Sequence, residues 1–323
     1  MKAHVLADHG PALVEVDAPR PGPSDVLVRV RASALNRVDL AMARGHVHGK
    51  AGGAGQVLGV ECAGEVVDVG AEVPELKPGD RVMCSGAGAF AEYAIIDWGR
   101  ALPIPDRAMS FEQAAALPVA LLTMHDAVIT HGALQAGQSV LVQGASSGVG
   151  LMALQIARRK GARLVIGSST DAGRRGRLGD FGAHLAIDSS DPAWVDQVLA
   201  ATEGKGVDLI VDQVAGALAN ANLRATRVRG RIVNVGRLGG MRGELDFDLH
   251  ALRRITYVGV TFRTRSKIEV RDIAGRAIAD LWSDVAAGAL TLPLDRVFAF
   301  EQFPEALEHM RANLHFGKIV LKQ

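Results

Sequence analysis

Aromatic residues, cysteine and net charge are all scarce in this 323-residue chain. Phe, Trp and Tyr together make up 4% of it, so its cores have to be built from Ala, Val and Leu. Only Cys62 and Cys84 are present, too few for a disulfide framework or a four-cysteine zinc site. Against 36 Lys and Arg stand 35 Asp and Glu. The resulting net charge of +1 argues against nucleic acid or an anionic membrane as the main partner. Long hydrophobic runs are missing too. The longest, 114–124, is too short to span a bilayer and contains Pro118. Met1 leads directly into a strand-like segment, Lys2 to Leu6, which leaves no room for a signal peptide. A cytoplasmic protein is therefore expected, with no membrane or nucleic-acid partner. Glycine, by contrast, is plentiful at 37 residues, as many tight strand-to-helix turns require. The length favours two domains.

The most informative stretch runs from Ser139 to Arg158. Ser139 to Gln143 is a β-branched apolar run of the kind that fills a buried parallel strand. A turn of small residues follows, and then Leu151, Leu154 and Ile156 recur at helical spacing. A strand, a turn without side-chain bulk and a helix N-terminus form a cradle for pyrophosphate, because free N–H groups and the helix dipole favour an anion there. Against the dinucleotide pattern G-x-G-x-x-G, residues 145–150 read Ala-Ser-Ser-Gly-Val-Gly, with Ala145 and Ser147 in the first two glycine places. Ser146, Ser147, Gly148 and Val149 are the candidate phosphate contacts.

Up to about residue 115 the chain reads as short strands punctuated by glycine and proline, a β-rich unit. From about Leu121 strands and helices alternate. Strands are expected at 139–143, 163–167, 184–187, 207–212, 231–235 and 255–260, and helices at 148–160, 173–181, 194–202 and 217–226. This alternation means a doubly wound parallel sheet covered on both faces. Beyond Val270 come an amphipathic segment, a strand near 297–300, a short helix and a final strand at 318–322. These are too few elements for a third domain, so the tail is expected to return to the first.

Several motifs occur in order along the chain: Asn36-Arg-Val-Asp39, Gly59-Val-Glu-Cys-Ala-Gly64, Leu76-Lys-Pro-Gly-Asp-Arg-Val82, Ala89-Phe-Ala-Glu-Tyr93, Ala115-Ala-Leu-Pro118, the 139–150 turn and Gly317-Lys-Ile-Val-Leu321. With them the whole chain resembles the medium-chain dehydrogenase/reductase superfamily. Within it the chain is similar to the zinc-free quinone oxidoreductase branch, related to zeta-crystallin and enoyl reductase domains. The resemblance implies an α/β protein with a Rossmann-type NADPH-binding domain at 121–265. A GroES-like β-rich catalytic domain would be assembled from 1–120 and 266–323.

In the zinc-dependent members a Cys precedes the Asp of the first motif and a His follows the Gly of the second. Here those places hold Asn36 and Val60, so no metal is expected, and Glu61 and Asp39 read as structural hydrogen-bonding residues. NAD sites place a carboxylate about twenty residues past the glycine turn, and NADP sites replace it with cationic and hydroxyl groups. Here Ser168, Ser169 and Thr170 close the second strand and Arg174 follows, which favours NADPH. The resemblance adds Thr123 beside the nicotinamide, the loop from Asn234 through Gly236 and Arg237, Phe262 lining the same cleft, Lys318 of the terminal Gly-Lys motif, and Asn36 near both cofactor and substrate carbonyl. Where many relatives carry a loop Tyr, this chain has Val47 between His46 and His48, both candidate proton donors.

The leading expectation is an NADPH-dependent reductase of quinones or small α,β-unsaturated carbonyl compounds, acting on a small-molecule substrate as a homodimer. An enoyl-thioester reductase of a biosynthetic pathway and a nucleotide-binding protein with little catalysis are the alternatives.

Overall fold

Every residue of the strand Ser139–Gln143 is buried, as a continuous apolar run requires when both faces of a sheet are covered. In the computed structural model, which describes residues 1–49, 51–105 and 108–323, this strand is the first of a six-stranded parallel sheet. The chain divides into two units, one of Met1–Val119 with Phe262–Gln323 and one of Ala120–Thr261.

In the second unit the strand order is Leu185–Ile187, Leu164–Ser168, Ser139–Gln143, Val207–Asp212, Thr226–Asn234 and Thr256–Gly259. Leu141, Ile166, Ile210 and Ile232 of its central strands pack with Trp194 and Val198 of the helix Trp194–Ala201. The segment expected as one helix at 173–181 is instead a short helix, Ala172–Arg175, and a separate 3-10 turn, Leu178–Phe181. Gly173, Gly176 and Gly179 make an unbroken helix expensive there. A helix at Phe247–Arg253, capped by the Asp246 carboxylate on the Leu249 N–H, was not expected from the sequence.

Among the described residues the first unit holds a seven-stranded sheet and a two-stranded one. Its last strand, Lys318–Lys322, lies between Leu294–Ala299, which it meets in parallel, and the end of Asp25–Ala34, which it meets antiparallel. That pairing carries the returning segment into the sheet of the first unit. Phe90 and Phe303 are fully buried, with ring centroids 4.8 Å apart, and they anchor a core shared by the two segments of this unit.

By length and composition the stretch Phe111–His131 could cross a membrane, yet 72% of its most apolar window is buried. It is broken into Phe111–Ala115, Pro118–Met124 and a π-helical turn at His125–His131.

Candidate functional site

The sheet of the second unit grows outward in both directions from the boundary between Ser139–Gln143 and Val207–Asp212. In open parallel sheets ligands lie at the carboxyl ends of the strands beside such a switch point. There the backbone of Gly144 is left-handed, with φ +70°. The helix Gly148–Arg159 starts directly against the turn. A Cβ on Gly150 would come within 2.7 Å of the Ala145 Cα and of the Gly144 and Ala145 carbonyls. Ser147 caps this helix, its Oγ accepting from the Gly150 N–H at 3.1 Å and lying 2.9 Å from the Gln213 Oε1. Gln213 in turn donates from Nε2 to the Gln143 carbonyl at 3.2 Å, and its own carbonyl accepts from the Leu238 N–H at 3.1 Å. A Cβ on Gly236 would stand 2.5 Å from that same carbonyl. One buried glutamine therefore holds the 144–147 turn and the 235–239 loop at fixed spacing.

Beneath them Asp212 accepts from the Val214 and Ala215 N–H groups and from the Asn222 amide, and burial pushes its carboxyl above the usual carboxylate range. The first-turn N–H groups of Gly148 and Val149 can have no partner inside the helix. With the bulk-free turn they fit a pyrophosphate.

Ser169 donates to the Ser146 Oγ at 3.1 Å and joins the second strand to the cradle. Ser168 is placed differently from expectation. It is fully buried, donates to Gln143 Oε1 at 2.6 Å and accepts from the Gly144 N–H at 3.0 Å. Its hydroxyl supports the turn from below and is not turned outward toward a ribose phosphate. Arg174 is half-buried within the short helix Ala172–Arg175, and the N-cap Asp171 accepts from its backbone N–H at 2.8 Å. Arg175 is committed to the Ser169 carbonyl and Asp188. Asn234 donates to the Gly236 carbonyl, Arg237 reaches the Val235 carbonyl, and Thr123 is half-buried on the helix Pro118–Met124.

In the first unit Asn36 stands at the N-terminus of the helix Arg37–Met42, where its backbone N–H donates to Asp39 Oδ2 at 2.6 Å. Its carboxamide belongs to a closed ring. Lys318 Nζ donates to Asn36 Oδ1 at 3.0 Å, Asn36 Nδ2 donates to Glu61 Oε1 at 2.8 Å, and Lys318 pairs with that same Glu61 oxygen. The second Glu61 oxygen accepts from the Val119 N–H at 3.0 Å. Among the described residues the other hydrogen on Asn36 Nδ2 meets only the Ala34 carbonyl at 3.5 Å, a marginal contact. Lys318, expected at the cofactor, is instead buried against Glu61. Burial pushes the Asp39 carboxyl up to about 7, partly offset by its bond from Asn36 and by Lys318.

His46 is exposed, with Nδ1 3.2 Å from the Ala41 carbonyl. His48 is half-buried and bridges to Ala51. Burial and the nearby Arg263 guanidinium lower its pKa, which weakens it as a proton donor near neutrality. Phe262 opens the returning segment of the first unit, with the Arg265 guanidinium 5.7 Å from its ring centroid. Among the described residues no group of three or more His, Cys, Asp and Glu could hold a metal ion.

Comparison with known proteins bears on both units. Residues 22–106 match the alcohol dehydrogenase GroES-like domain, and residues 148–276 match the zinc-binding dehydrogenase family. The chain is 34% identical over 308 residues to the spectinabilin polyketide synthase system protein NorB of Streptomyces orinoci, covering 93% of this chain and 13% of that protein. It is 30% identical, again over 308 residues, to a component of the phenolphthiocerol/phthiocerol polyketide synthase of Mycobacterium tuberculosis, covering 95% of this chain and 14% of that one. The chain thus spans about an eighth of the length of these curated relatives. Among solved structures, an alcohol dehydrogenase superfamily protein from Novosphingobium aromaticivorans superposes with a TM-score of 0.89 at 29% identity, over 100% of this chain and 99% of that one. Escherichia coli quinone oxidoreductase complexed with NADPH shares the fold, with a TM-score of 0.88 at 24% identity and full coverage of both chains.

Proposed function

Because this chain belongs to the medium-chain dehydrogenase/reductase superfamily and is an oxidoreductase of it, we propose that it is an NADPH-dependent reductase of quinones or small α,β-unsaturated carbonyl compounds that works without zinc. When bound, NADPH supplies a hydride to the electron-poor carbon; substrate, NADPH and one proton give reduced product and NADP⁺. The observation that carries the proposal is the Asn36 carboxamide. It stands where zinc-dependent members keep a cysteine ligand, held by Glu61 and Lys318 with one N–H hydrogen still to give. A fixed donor aimed at the substrate oxygen stabilises the negative charge that builds there after hydride arrives. Steady-state NADPH oxidation with benzoquinones, enones and crotonyl thioesters tests the reading. Oxidation of simple alcohols at comparable rates would refute it.

The alignment with polyketide synthases favours a second reading, in which the electron-poor alkene is an enoyl thioester. Crotonyl thioester turned over far faster than any quinone would select it. Tight NADPH binding without turnover of any acceptor would leave a nucleotide-binding protein.

The cofactor choice rests on Thr170, just past the second strand, and Arg174 in the short helix that follows, with Asp171 spending a carboxylate oxygen on its own helix cap. Arg174→Ala is expected to weaken NADPH binding by about 1–3 kcal/mol and leave NADH nearly unchanged, as read by cofactor fluorescence titration. Equal affinity of the native protein for both cofactors would sink the choice.

We also propose a homodimer. Among the described residues, the edge strand Thr256–Gly259 has a sheet neighbour on one side only. Nearby in the sequence, Tyr257, Leu252 and Phe247 are 39%, 69% and 76% exposed. Apolar edges of this kind pair with another chain, and a two-fold axis through the edge closes the assembly. Light scattering at micromolar concentration should report twice the 34.0 kDa chain mass, and a monomer would refute the pairing.

A further inference from the structure

Glu61 and Lys318 touch no reacting atom in the reading above, yet they are 0% and 5% exposed. Glu61 opens the strand Glu61–Val69, and Lys318 opens the strand Lys318–Lys322, 257 residues later. We propose that these two are positioning residues for the reduction, and that they fix the Asn36 carboxamide with its nitrogen as the donor to substrate. The inference rests on the reductase reading of the same site.

The chemistry of the ring allows one arrangement. An ammonium group only donates and an ionised carboxylate only accepts. Lys318 therefore selects the oxygen of the amide, and Glu61 selects its nitrogen. Flipping the amide would set NH₂ against the ammonium and a carbonyl against the carboxylate, two repulsions that the burial of Glu61 and Lys318 strengthens. Glu61 cannot turn aside to relieve them, because its second oxygen is held by the Val119 N–H. The backbone of Asn36 is fixed as well, through Asp39. A merely structural role would not call for charges here, since a buried ion pair can often be replaced by apolar side chains of similar volume without loss of stability.

Four variants test this with NADPH and benzoquinone: Asn36→Ala, Lys318→Met, the paired Glu61→Gln/Lys318→Met, and Asn36→Ala/Lys318→Met. Lys318→Met should lower kcat about a hundredfold, as loss of reactive geometry does, with KM for NADPH unchanged. In the Asn36→Ala background the same change should cost nothing further. The paired variant leaves no unpaired buried charge, so it should fold and still show the loss. The Asn36 side-chain amide gives a readout that needs no activity. Its two proton signals in ¹⁵N-resolved spectra should be sharp and slow to exchange in the native protein, and averaged in the paired variant. Native kcat and an unchanged Asn36 signal in the paired variant, beside a slow Asn36→Ala enzyme, would overturn the positioning role and leave the reductase reading standing. Equal fractional losses from Lys318→Met in both backgrounds would mark a structural role and overturn it too. Native turnover in Asn36→Ala would remove the reading of Asn36 itself, and this inference with it.

Discussion

Asn36→Ala is expected to slow quinone or enone turnover about a hundredfold while NADPH binds as before. A preorganised donor to a developing oxyanion contributes about 2.7–4 kcal/mol to the transition state, because it needs no reorganisation at the moment of reaction. The substitution removes that donor and little else. Lys318 and Glu61 still reach each other directly, and Asp39 can still accept from the backbone N–H at position 36. The phosphate cradle of the other unit is built from Gly144, Ser147, Gln213 and the helix they cap, none of which this change touches. Single-turnover kinetics together with a cofactor titration separate the two quantities. Turnover within about threefold of native would contradict the roughly hundredfold loss that removal of such a donor produces.

The second large effect is on stability and comes from Asp39. Its carboxyl is raised from 3.8 to about 7, chiefly because it is buried, with Glu61 adding to the rise. One of its oxygens, Oδ1, has no hydrogen-bond partner among the described residues. Between those two values the folded protein keeps a proton that the unfolded chain gives up, so this group makes stability fall as pH rises through the window. The full rise corresponds to about 4 kcal/mol. Asparagine at position 39 can still accept from the Asn36 N–H and has nothing to titrate. Asp39→Asn should therefore gain on the native protein from about pH 4 to about pH 7, by about 1.4 kcal/mol per pH unit at most, and hold that gain above. Denaturant midpoints at four pH values would show it, and a difference that does not change with pH would contradict it. His4 contributes with the opposite sign. Burial lowers its pKa, so it costs stability as pH drops below 6.5. The comparison of Asp39→Asn with native protein cancels that contribution.

The strand–turn–helix of the second unit was legible because its signals are local. Apolar runs fix the strands, helical spacing fixes Gly148–Arg159, and a glycine at position 150 is needed where the helix meets the turn. Gln213 was not legible as a support of that turn. It follows a different strand, and only the parallel pairing of Val207–Asp212 with Ser139–Gln143 brings it there. Ser168 showed the opposite failure. Its place in the sequence suggested an outward hydroxyl, but strand alternation turned it inward onto Gln143. The helix Phe247–Arg253 did leave a trace, an Asp with Leu245 and Leu249 four residues apart around it, although glycines and arginines before it mask the pattern. Asn36 was singled out by its motif. Its holders were not, because Glu61 read as a plain hydrogen-bonding residue and Lys318 as a cofactor contact. No spacing rule joins residues that far apart.

The strand Lys318–Lys322 also sets an order of events during synthesis. Residues 120–261 form a contiguous unit and can fold as soon as they leave the ribosome. The other unit has to wait for its second segment, since the strand that fills the gap beside Ala32–Ala34 is made long after its neighbours. Until then Glu61 has no ammonium beside it, and one edge of the sheet stays open to other chains. A frameshift or a protease cut just ahead of Lys318 would spare the nucleotide cradle and still remove both the strand and the cation. Such interrupted chains should keep the fold of residues 120–261, fail to turn over substrate and aggregate through the opened sheet edge.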